Sequence, residues 1–331
     1  MKGGPQTWDE LRNRPVGVRV ACISLDGSRI AAIFADNTLC IYDTRTGEVI
    51  PPSFKVDKIS WSVVLSPDGN LVATSGQALR VWHVLTGEEV ESFDIDVHCL
   101  AFSPDGTCIA AGCGRRDVKM DGRDGRDGCY NIRVINLELA KNSDPPHLFV
   151  SSEGESILLL KGEVWPSPFE GHGGLVSSLS YSADGKQIAS CSDDWTIRVW
   201  DVSTGSRRTI RTTTSYNSSV AISPDGTRIA SDGTLYNLST GSDTPYRFVH
   251  SNDYVKSLSF SADGRFLAAG CSYIFPVPFL ILDVSTHTSK TTQLVGHFGD
   301  IGSVAFLPDG KQIMSASEDG TIPSGKQQGC L

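Results

Sequence analysis

The chain contains 331 residues, of which 39% are hydrophobic and 20% are charged, and its formal net charge at pH 7 is −9. This balance is typical of a globular protein with a large core, while the acidic excess argues against a general phosphate-binding surface, so we expect no nucleic-acid partner. No run approaches the roughly 18 apolar residues of a membrane helix, and the start lacks the apolar segment of a signal peptide. We therefore expect no membrane partner and a cytoplasmic location, with the nucleus as an alternative.

A four-residue motif, Ser-Pro-Asp-Gly or a near copy of it, recurs seven times along the chain. The copies end at Gly27, Gly69, Gly106, Gly185, Gly226, Gly264 and Gly310. Their successive separations are 42, 37, 79, 41, 38 and 46 residues. A period near 40 with one doubled gap indicates a repeat array. Because closed arrays of this length form one domain, we predict a single domain over residues 1–331.

Each motif copy predicts a tight turn between two strands, since Pro suits the second position of a type I turn and Gly supplies the left-handed residue that follows. The strands after the turns begin, in chain order, at Ile30, Leu71, Ile109, Ile188, Ile229, Leu267 and Ile313. Third strands are predicted at Leu39–Asp43, Leu79–His83, Ile132–Asn136, Ile197–Asp201, Leu235–Asn237 and Ile281–Asp283. A more variable fourth strand leads to the next unit. Short, evenly spaced strands of this kind predict an all-β protein.

The doubled gap contains one long unit, because Ile132–Asn136 is its only candidate third strand. We assign the extra length to two insertions, near residues 114–128 and 142–170, so the array has seven units. The first insertion carries Asp121, Asp124 and Asp127 with arginines between them. Calcium loops place their acids at every second residue and close with a Glu, so we predict a charged loop, with no metal site and no cofactor.

The unit at residues 172–205 resembles the WD40 repeat family, because the Gly171-His172 and Trp200-Asp201 pairs stand at that family's spacing. The motif style is similar to that of fungal and bacterial WD40 arrays that follow NACHT-type modules. The resemblance implies a seven-bladed β-propeller of four-stranded blades. It also implies a hydrogen-bonded tetrad, which His172, Ser190, Asp194 and Trp200 match in full. A partial tetrad of His297, Ser315 and Asp319 has no Trp after it.

The C-terminal residues depart from the WD40 pattern. Pro323 and Gly325 stand where the third strand of the seventh unit should lie, and both residue types oppose a strand. We therefore predict a divergent tail at 323–331 and an incomplete last blade. Such a blade would expose an edge at Ile313 to Ser315, which invites pairing with another chain.

The sequence contains no G-x-S-x-G, H-E-x-x-H or P-loop motif, so no catalysis is expected.

The family resemblance places partner binding on one rim of the propeller, and aromatic side chains there would act as anchors. The candidate anchors are Trp195, Tyr216, Tyr254, Tyr273, Phe275 and Phe298. The leading hypothesis is a scaffold for a protein or peptide. The alternatives are a fragment of a larger NACHT/WD40-type signalling protein and a propeller that binds a small ligand in its channel.

Overall fold

A computed structural model shows an all-β chain. It describes residues 17–58, 60–113, 131–137, 169, 171–212, 219–239, 246–249, 254–272, 279–286, 288–292, 299–310, 312–319 and 324–326. The insertions predicted near 114–128 and 142–170 lie outside these residues apart from Phe169. None of the described segments forms a helix long and apolar enough to cross a membrane.

The strands of the first four sheets follow the predicted units. The first sheet contains β1 (Val18–Ile23), β2 (Arg29–Phe34), β3 (Thr38–Asp43) and β4 (Val49–Lys55). The second contains β5 (Val63–Leu65), β6 (Leu71–Thr74), β7 (Leu79–His83) and β8 (Glu89–Phe93). The third contains β9 (Val97–Phe102), β10 (Cys108–Cys113) and β11 (Ile132–Asn136), and the fourth contains β12 (Val176–Tyr181), β13 (Gln187–Ser192), β14 (Thr196–Asp201) and β15 (Arg207–Arg211).

Three further sheets complete the described structure. The fifth contains β16 (Val220–Ile222), β17 (Arg228–Ser231), β18 (Thr234–Asn237) and β19 (Tyr246–Arg247). The sixth contains β20 (Tyr254–Phe260), β21 (Phe266–Ser272), β22 (Phe279–Asp283) and β23 (Thr288–Thr292), and the seventh contains β24 (Ile301–Phe306), β25 (Gln312–Ser317) and β26 (Ser324–Lys326). Every sheet is an antiparallel meander, so the all-β propeller predicted from the sequence is confirmed.

The motif turn is held by its own side chains. In the fourth sheet, Ser182 Oγ donates to Asp184 Oδ1 at 2.6 Å, and the same hydroxyl accepts from Gln187 N at 2.9 Å. Gly185 adopts φ 70°, which favours glycine. Five further turns repeat the Ser–Asp bond at 2.5 to 2.6 Å, at Ser24, Ser66, Ser103, Ser223 and Ser261. The seventh copy has Leu307 in place of Ser and lacks this bond.

Neighbouring motif turns also contact each other. A methyl group added at Gly106 would lie 3.2 Å from the Pro67 ring, which belongs to the turn of the preceding sheet. The same relation joins Gly185 to Pro104, Gly264 to Pro224 and Gly27 to Pro308. Every motif proline therefore lies against the glycine of the next turn, and the seventh turn lies against the first.

The hydrophobic core formed by the described residues is divided into seven clusters, each between two successive sheets. Val97 and Leu100 of the third sheet, for example, pack against Val81 and Phe93 of the second. The cluster between the seventh sheet and the first contains Met314, Ala316, Val18, Ala21, Ile30, Ala32, Phe34, Cys40 and Tyr42. Apolar burial of this kind is the main favourable term in folding, and it runs from sheet to sheet and from the seventh sheet back to the first.

Hydroxyl groups of the first strands add polar links between sheets. Val220 N donates to Ser178 Oγ at 3.2 Å, and Val304 N donates to Ser257 Oγ at 3.0 Å. Ser303 Oγ donates to the carbonyl of Ala21 at 2.7 Å, which links the seventh sheet to the first. Three pairs of neighbouring innermost strands are therefore bonded to each other through serine side chains.

The expectation of a missing third strand in the last unit is wrong. β26 pairs with β25, so that Ile313 lies opposite Gly325 and Met314 lies opposite Ser324. The first two residues of the expected free edge are thus paired within the chain, and the third, Ser315, is fully buried. The strand is tolerated because it is short and lies outermost among the described strands of its sheet, where Gly and a preceding Pro interrupt few ladder bonds.

Candidate functional site

The structure brings the four residues of the full tetrad together in the fourth sheet. His172 Nδ1 donates to Asp194 Oδ2 at 2.9 Å, and its Nε2 accepts from Ser190 Oγ at 2.7 Å. Trp200 Nε1 donates to the same Ser190 oxygen at 2.8 Å. Thr196, which the sequence reasoning did not single out, adds a bond from its Oγ1 to Asp194 Oδ1 at 2.6 Å. The network therefore ties the segment before β12 to β13, to the turn after it and to β14.

Burial and hydrogen bonding together set the protonation of this network. It lowers the pKa of His172 below its ordinary value, more than the adjacent Asp194 carboxylate raises it. Burial also opposes ionisation of Asp194, but hydrogen bonds from His172, Thr196 and Gly173 N hold the pKa of this carboxyl well below its ordinary value. The stable pair is thus a neutral imidazole that donates to a carboxylate.

The Ser–His–Asp order matches the order of a hydrolase triad, but the surroundings do not suit catalysis. Ser190 has 0% exposure, and its oxygen already accepts from Trp200. A nucleophile must reach a substrate carbonyl, and no substrate reaches an oxygen enclosed in this way. The geometry suits a structural role, because a fully satisfied buried polar network rigidifies its surroundings.

The partial tetrad of the seventh sheet is only partly described. Ser315 is fully buried, and Asp319 N donates to Ser317 Oγ at 3.2 Å, as Asp194 N does to Ser192 in the fourth sheet. His297 lies outside the described residues. The register that places Trp200 opposite Ile188 places Gly325 opposite Ile313, so the seventh sheet carries no side chain at the tryptophan position.

Trp195 lies at the tip of the turn between β13 and β14. We call the end of the ring that carries these second-to-third-strand turns, together with the connections between sheets, the upper rim, and the end with the motif turns the lower rim. The Trp195 side chain is 54% exposed, and its φ is 65°. Its carbonyl accepts from Thr212 N at 2.9 Å. The backbone is therefore fixed while the indole faces solvent.

Comparison with the equivalent turn of the first sheet indicates the conformational free energy that is lost by placing a tryptophan at position 195. Asn37 has φ 64°, and its carbonyl accepts from Val56 N at 3.0 Å, as the Trp195 carbonyl does from Thr212 N. Asn tolerates the left-handed conformation, whereas a bulky residue loses about 1–2 kcal/mol there. Trp195 remains 54% exposed, so burial offsets this cost only in part.

Of the other five predicted rim anchors, the structure describes the side chain of one. Tyr254 begins β20 at the upper rim and is partly buried. Tyr216, Tyr273, Phe275 and Phe298 lie outside the residues whose side chains the structure describes. The structure thus places two of the six predicted anchors, Trp195 and Tyr254, on the upper rim.

Sequence reasoning missed a third aromatic residue on this rim. Trp61 precedes β5 in the connection between the first two sheets and is 48% exposed. Its ring stacks on the imidazole of His98, with centroids 6.2 Å apart and planes 25° apart. A signal was available, because an aromatic residue at the start of an inner strand lies at the mouth of the channel.

The channel inside the seven first strands encloses a cavity of about 700 Å³. Its walls are rich in serine, including Ser62, Ser180 and Ser219, and the lining within the described residues includes Lys256 but no Asp or Glu. No group of three or more His, Cys, Asp or Glu side chains in the described part of the chain is arranged to hold a metal. The described lining of the channel therefore contains no carboxylate cluster.

Comparison with known proteins agrees with the repeat geometry. Four segments, 85–120, 166–201, 238–273 and 288–322, match the family model "WD domain, G-beta repeat". The guanine nucleotide-binding protein subunit beta of Arabidopsis thaliana is 30% identical over 95% of this chain and 91% of its own length. The chain belongs to the WD40 repeat family.

Two other WD40 relatives differ in how much of them the chain covers. Eukaryotic translation initiation factor 3 subunit I of Scheffersomyces stipitis is 23% identical over 90% of this chain and 86% of its length. The guanine nucleotide-binding protein subunit beta of Oryza sativa subsp. indica is 25% identical over 84% of this chain, which spans only 55% of that relative. These WD40 relatives support a protein-interaction scaffold in general.

Proposed function

We propose that this WD40 chain is a non-catalytic scaffold that holds a protein or peptide partner against its upper rim. The observation that carries the proposal is Trp195, which is 54% exposed at φ 65°. Residues held in sparsely populated conformations cluster at functional sites, because the strain persists only where the surroundings impose it. Tryptophan is also among the residue types most enriched in interface hot spots.

The names of the relatives support the same proposal. The proteins of Arabidopsis thaliana and Scheffersomyces stipitis are each named as a subunit, and so belong to assemblies of several chains. A rim that presents fixed aromatic side chains suits such assembly, because a rigid anchor loses little conformational entropy when it binds.

Replacement of Trp195 by Asn tests the proposal. Asn occupies the same turn position in the first sheet at φ 64°, so Trp195→Asn relieves strain and should leave the melting temperature unchanged or raise it by a few degrees. Partner recovery in quantitative affinity purification should fall by about tenfold or more if the indole is a hot spot.

A matched control is available on the lower rim. Leu85 is 53% exposed in the turn between β7 and β8, and Leu85→Asn removes a comparable exposed apolar side chain from the opposite end of the ring. It should retain the wild-type set of partners. Equal recovery by the wild type and Trp195→Asn would contradict the upper-rim proposal.

A further inference from the structure

We propose that an acidic segment of a protein partner binds at a second place on the upper rim, the Trp61 patch, which consists of Arg19, Lys58, Trp61, Arg80 and His98. An apolar side chain of the segment packs on Trp61, and its carboxylates face the cations. The inference rests on the proposed scaffold function and adds the chemistry of the partner.

Trp61 is a fixed anchor. Trp61 N and Ser62 N both donate to Ser75 Oγ, at 3.1 and 2.8 Å, and Ser75 is only 1% exposed. One face of the indole stacks on His98, which is itself nearly buried. The side chain nevertheless remains 48% exposed. An aromatic ring whose backbone and one face are already held loses little freedom on binding a partner.

The cations around Trp61 are incompletely neutralised. Arg19 Nη1 donates to the carbonyl of Lys58 at 2.9 Å, while its Nε and Nη2 are buried without an acceptor. Arg80 has Asp57 and Glu89 as partners, but at 3.6 and 3.8 Å these contacts are longer than hydrogen bonds. The Arg80 guanidinium is partly exposed, so a partner's carboxylate can reach it and form a shorter, charge-assisted bond.

The charges of the patch differ from those of the rim between the sixth and seventh sheets. Lys58, which is exposed, adds a third cation beside Arg19 and Arg80, against the two carboxylates that contact Arg80. Between the sixth and seventh sheets the balance is reversed, because Lys256 alone bonds both Asp300 and Glu318, at 2.9 and 3.1 Å. The three cations of the patch thus outnumber the two carboxylates in contact with them, in a chain of net charge −9.

The overall charge favours a peptide over other anionic partners. A nucleic acid or an anionic lipid surface presents a long array of negative charge, which a protein of net charge −9 repels beyond the patch. An acidic segment presents a few carboxylates next to an apolar side chain. That combination matches one exposed indole and three cations.

A random dodecapeptide library displayed on phage, selected against the wild-type chain, tests the proposal. The selected sequences should be enriched in Asp and Glu beside an aromatic or aliphatic residue. The most frequent peptide is then synthesised with a fluorescein label, together with a counterpart in which Asn and Gln replace the acids. Fluorescence anisotropy should show affinity for the counterpart reduced by about tenfold.

Variants of the chain locate the binding. Trp61→Ala should lower the affinity for the labelled peptide by about tenfold or more. Lys58→Glu changes an exposed side chain, so it should lower the affinity for the peptide severalfold and leave the melting temperature unchanged. This loss of affinity should become smaller as the salt concentration is raised. Leu85→Ala and Arg45→Glu, exposed positions in lower-rim turns, should leave the affinity unchanged.

Several results would overturn the inference. These are no selected binder, no acidic enrichment, wild-type affinity in both Trp61→Ala and Lys58→Glu, or binding of single-stranded RNA or phosphatidylserine vesicles at the patch in preference to the peptide. The Trp195→Asn experiment is independent of all of them, because it measures partner recovery at another position. The upper-rim proposal can therefore stand if the patch fails.

Discussion

The fourth and seventh sheets share the inner half of a blade and differ in the outer half. In both, the first strand is bonded through a serine hydroxyl to the next sheet, by Ser178 to Val220 and by Ser303 to Ala21. The fourth sheet then adds a third strand with Trp200 and a fourth strand, β15. The seventh has the short β26, with Gly325 at the tryptophan position.

This difference separates two structural roles within one repeat, contact with the neighbouring sheet and bonding within the blade itself. The seventh sheet still packs Met314 and Ala316 into a shared core with the first sheet, so the inner two strands suffice for contact between sheets. The polar network of the fourth sheet acts within a single blade, where it ties the turn to the strands. We therefore expect substitutions in the network to weaken one blade, and substitutions at the inner links to have similar effects in the fourth and seventh blades.

The largest expected effect is at Trp200. Trp200→Ala should lower the free energy of unfolding by about 3–5 kcal/mol, because it removes a buried ring and leaves a cavity. Trp82 occupies the same register position in the second sheet, with Thr74 where the fourth sheet has Ser190. Chemical denaturation of both alanine variants should show the greater loss for Trp200. Equal losses would mean that the network adds nothing to packing.

The next effect concerns Ser190, which bonds Trp200 and His172 at once. Ser190→Ala leaves a buried indole N–H and an imidazole nitrogen without a partner, and should cost about 2–3 kcal/mol. Urea denaturation measures the loss. The double variant with Trp200→Ala should lose less than the sum of the two single variants, since the two residues share a bond. Strict additivity would contradict a coupled network.

A smaller effect is expected on the pH dependence of stability. Because the pKa of His172 is lower in the folded chain than its ordinary value of 6.5, its contribution is present above pH 6.5 and is lost as the pH falls from there through the folded pKa. His172→Gln keeps a side-chain donor and does not titrate, so its melting temperature should fall less between pH 7 and pH 5. A parallel fall in the wild type and the variant would show that His172 does not titrate in this range.

The smallest effects test the inner links common to both sheets. Ser178→Ala and Ser303→Ala should each cost about 1 kcal/mol, since each removes one hydrogen bond between sheets. Ser92→Ala, at an exposed position in β8, should stay within about 0.5 kcal/mol of the wild type. A much larger loss for one inner serine than for the other would show that the fourth and seventh sheets do not share the same inner bonding.

The motif and the strand pattern were sufficient to predict most of the fold. Predicted strands such as Leu79–His83 match the observed bounds, because local turn chemistry and alternation set them. The strand at Ser324–Lys326 could not be predicted, since Gly325 and the preceding Pro323 oppose strand formation, and the strand forms by pairing with β25. Tertiary context overrides local preference in such cases.

The candidate site was less predictable than the fold. Trp195 was accessible to sequence reasoning because it stands in a recognisable turn. The role proposed for Trp61 depends on Ser75, His98 and Arg19, which come from three different sheets. Such convergence follows from the ring arrangement, and a linear sequence does not display it.

The contact between each motif proline and the next glycine has a consequence for how the repeats evolve. The glycine of a unit is constrained partly by its own left-handed φ and partly by a ring that another unit supplies, so a duplicated or exchanged unit changes the demands on its neighbour. Gly310, which follows a unit without the proline, has nothing within 4 Å. Gly27 lies against Pro308, so a change in the seventh unit alters the demands on the first, about 280 residues earlier in the sequence.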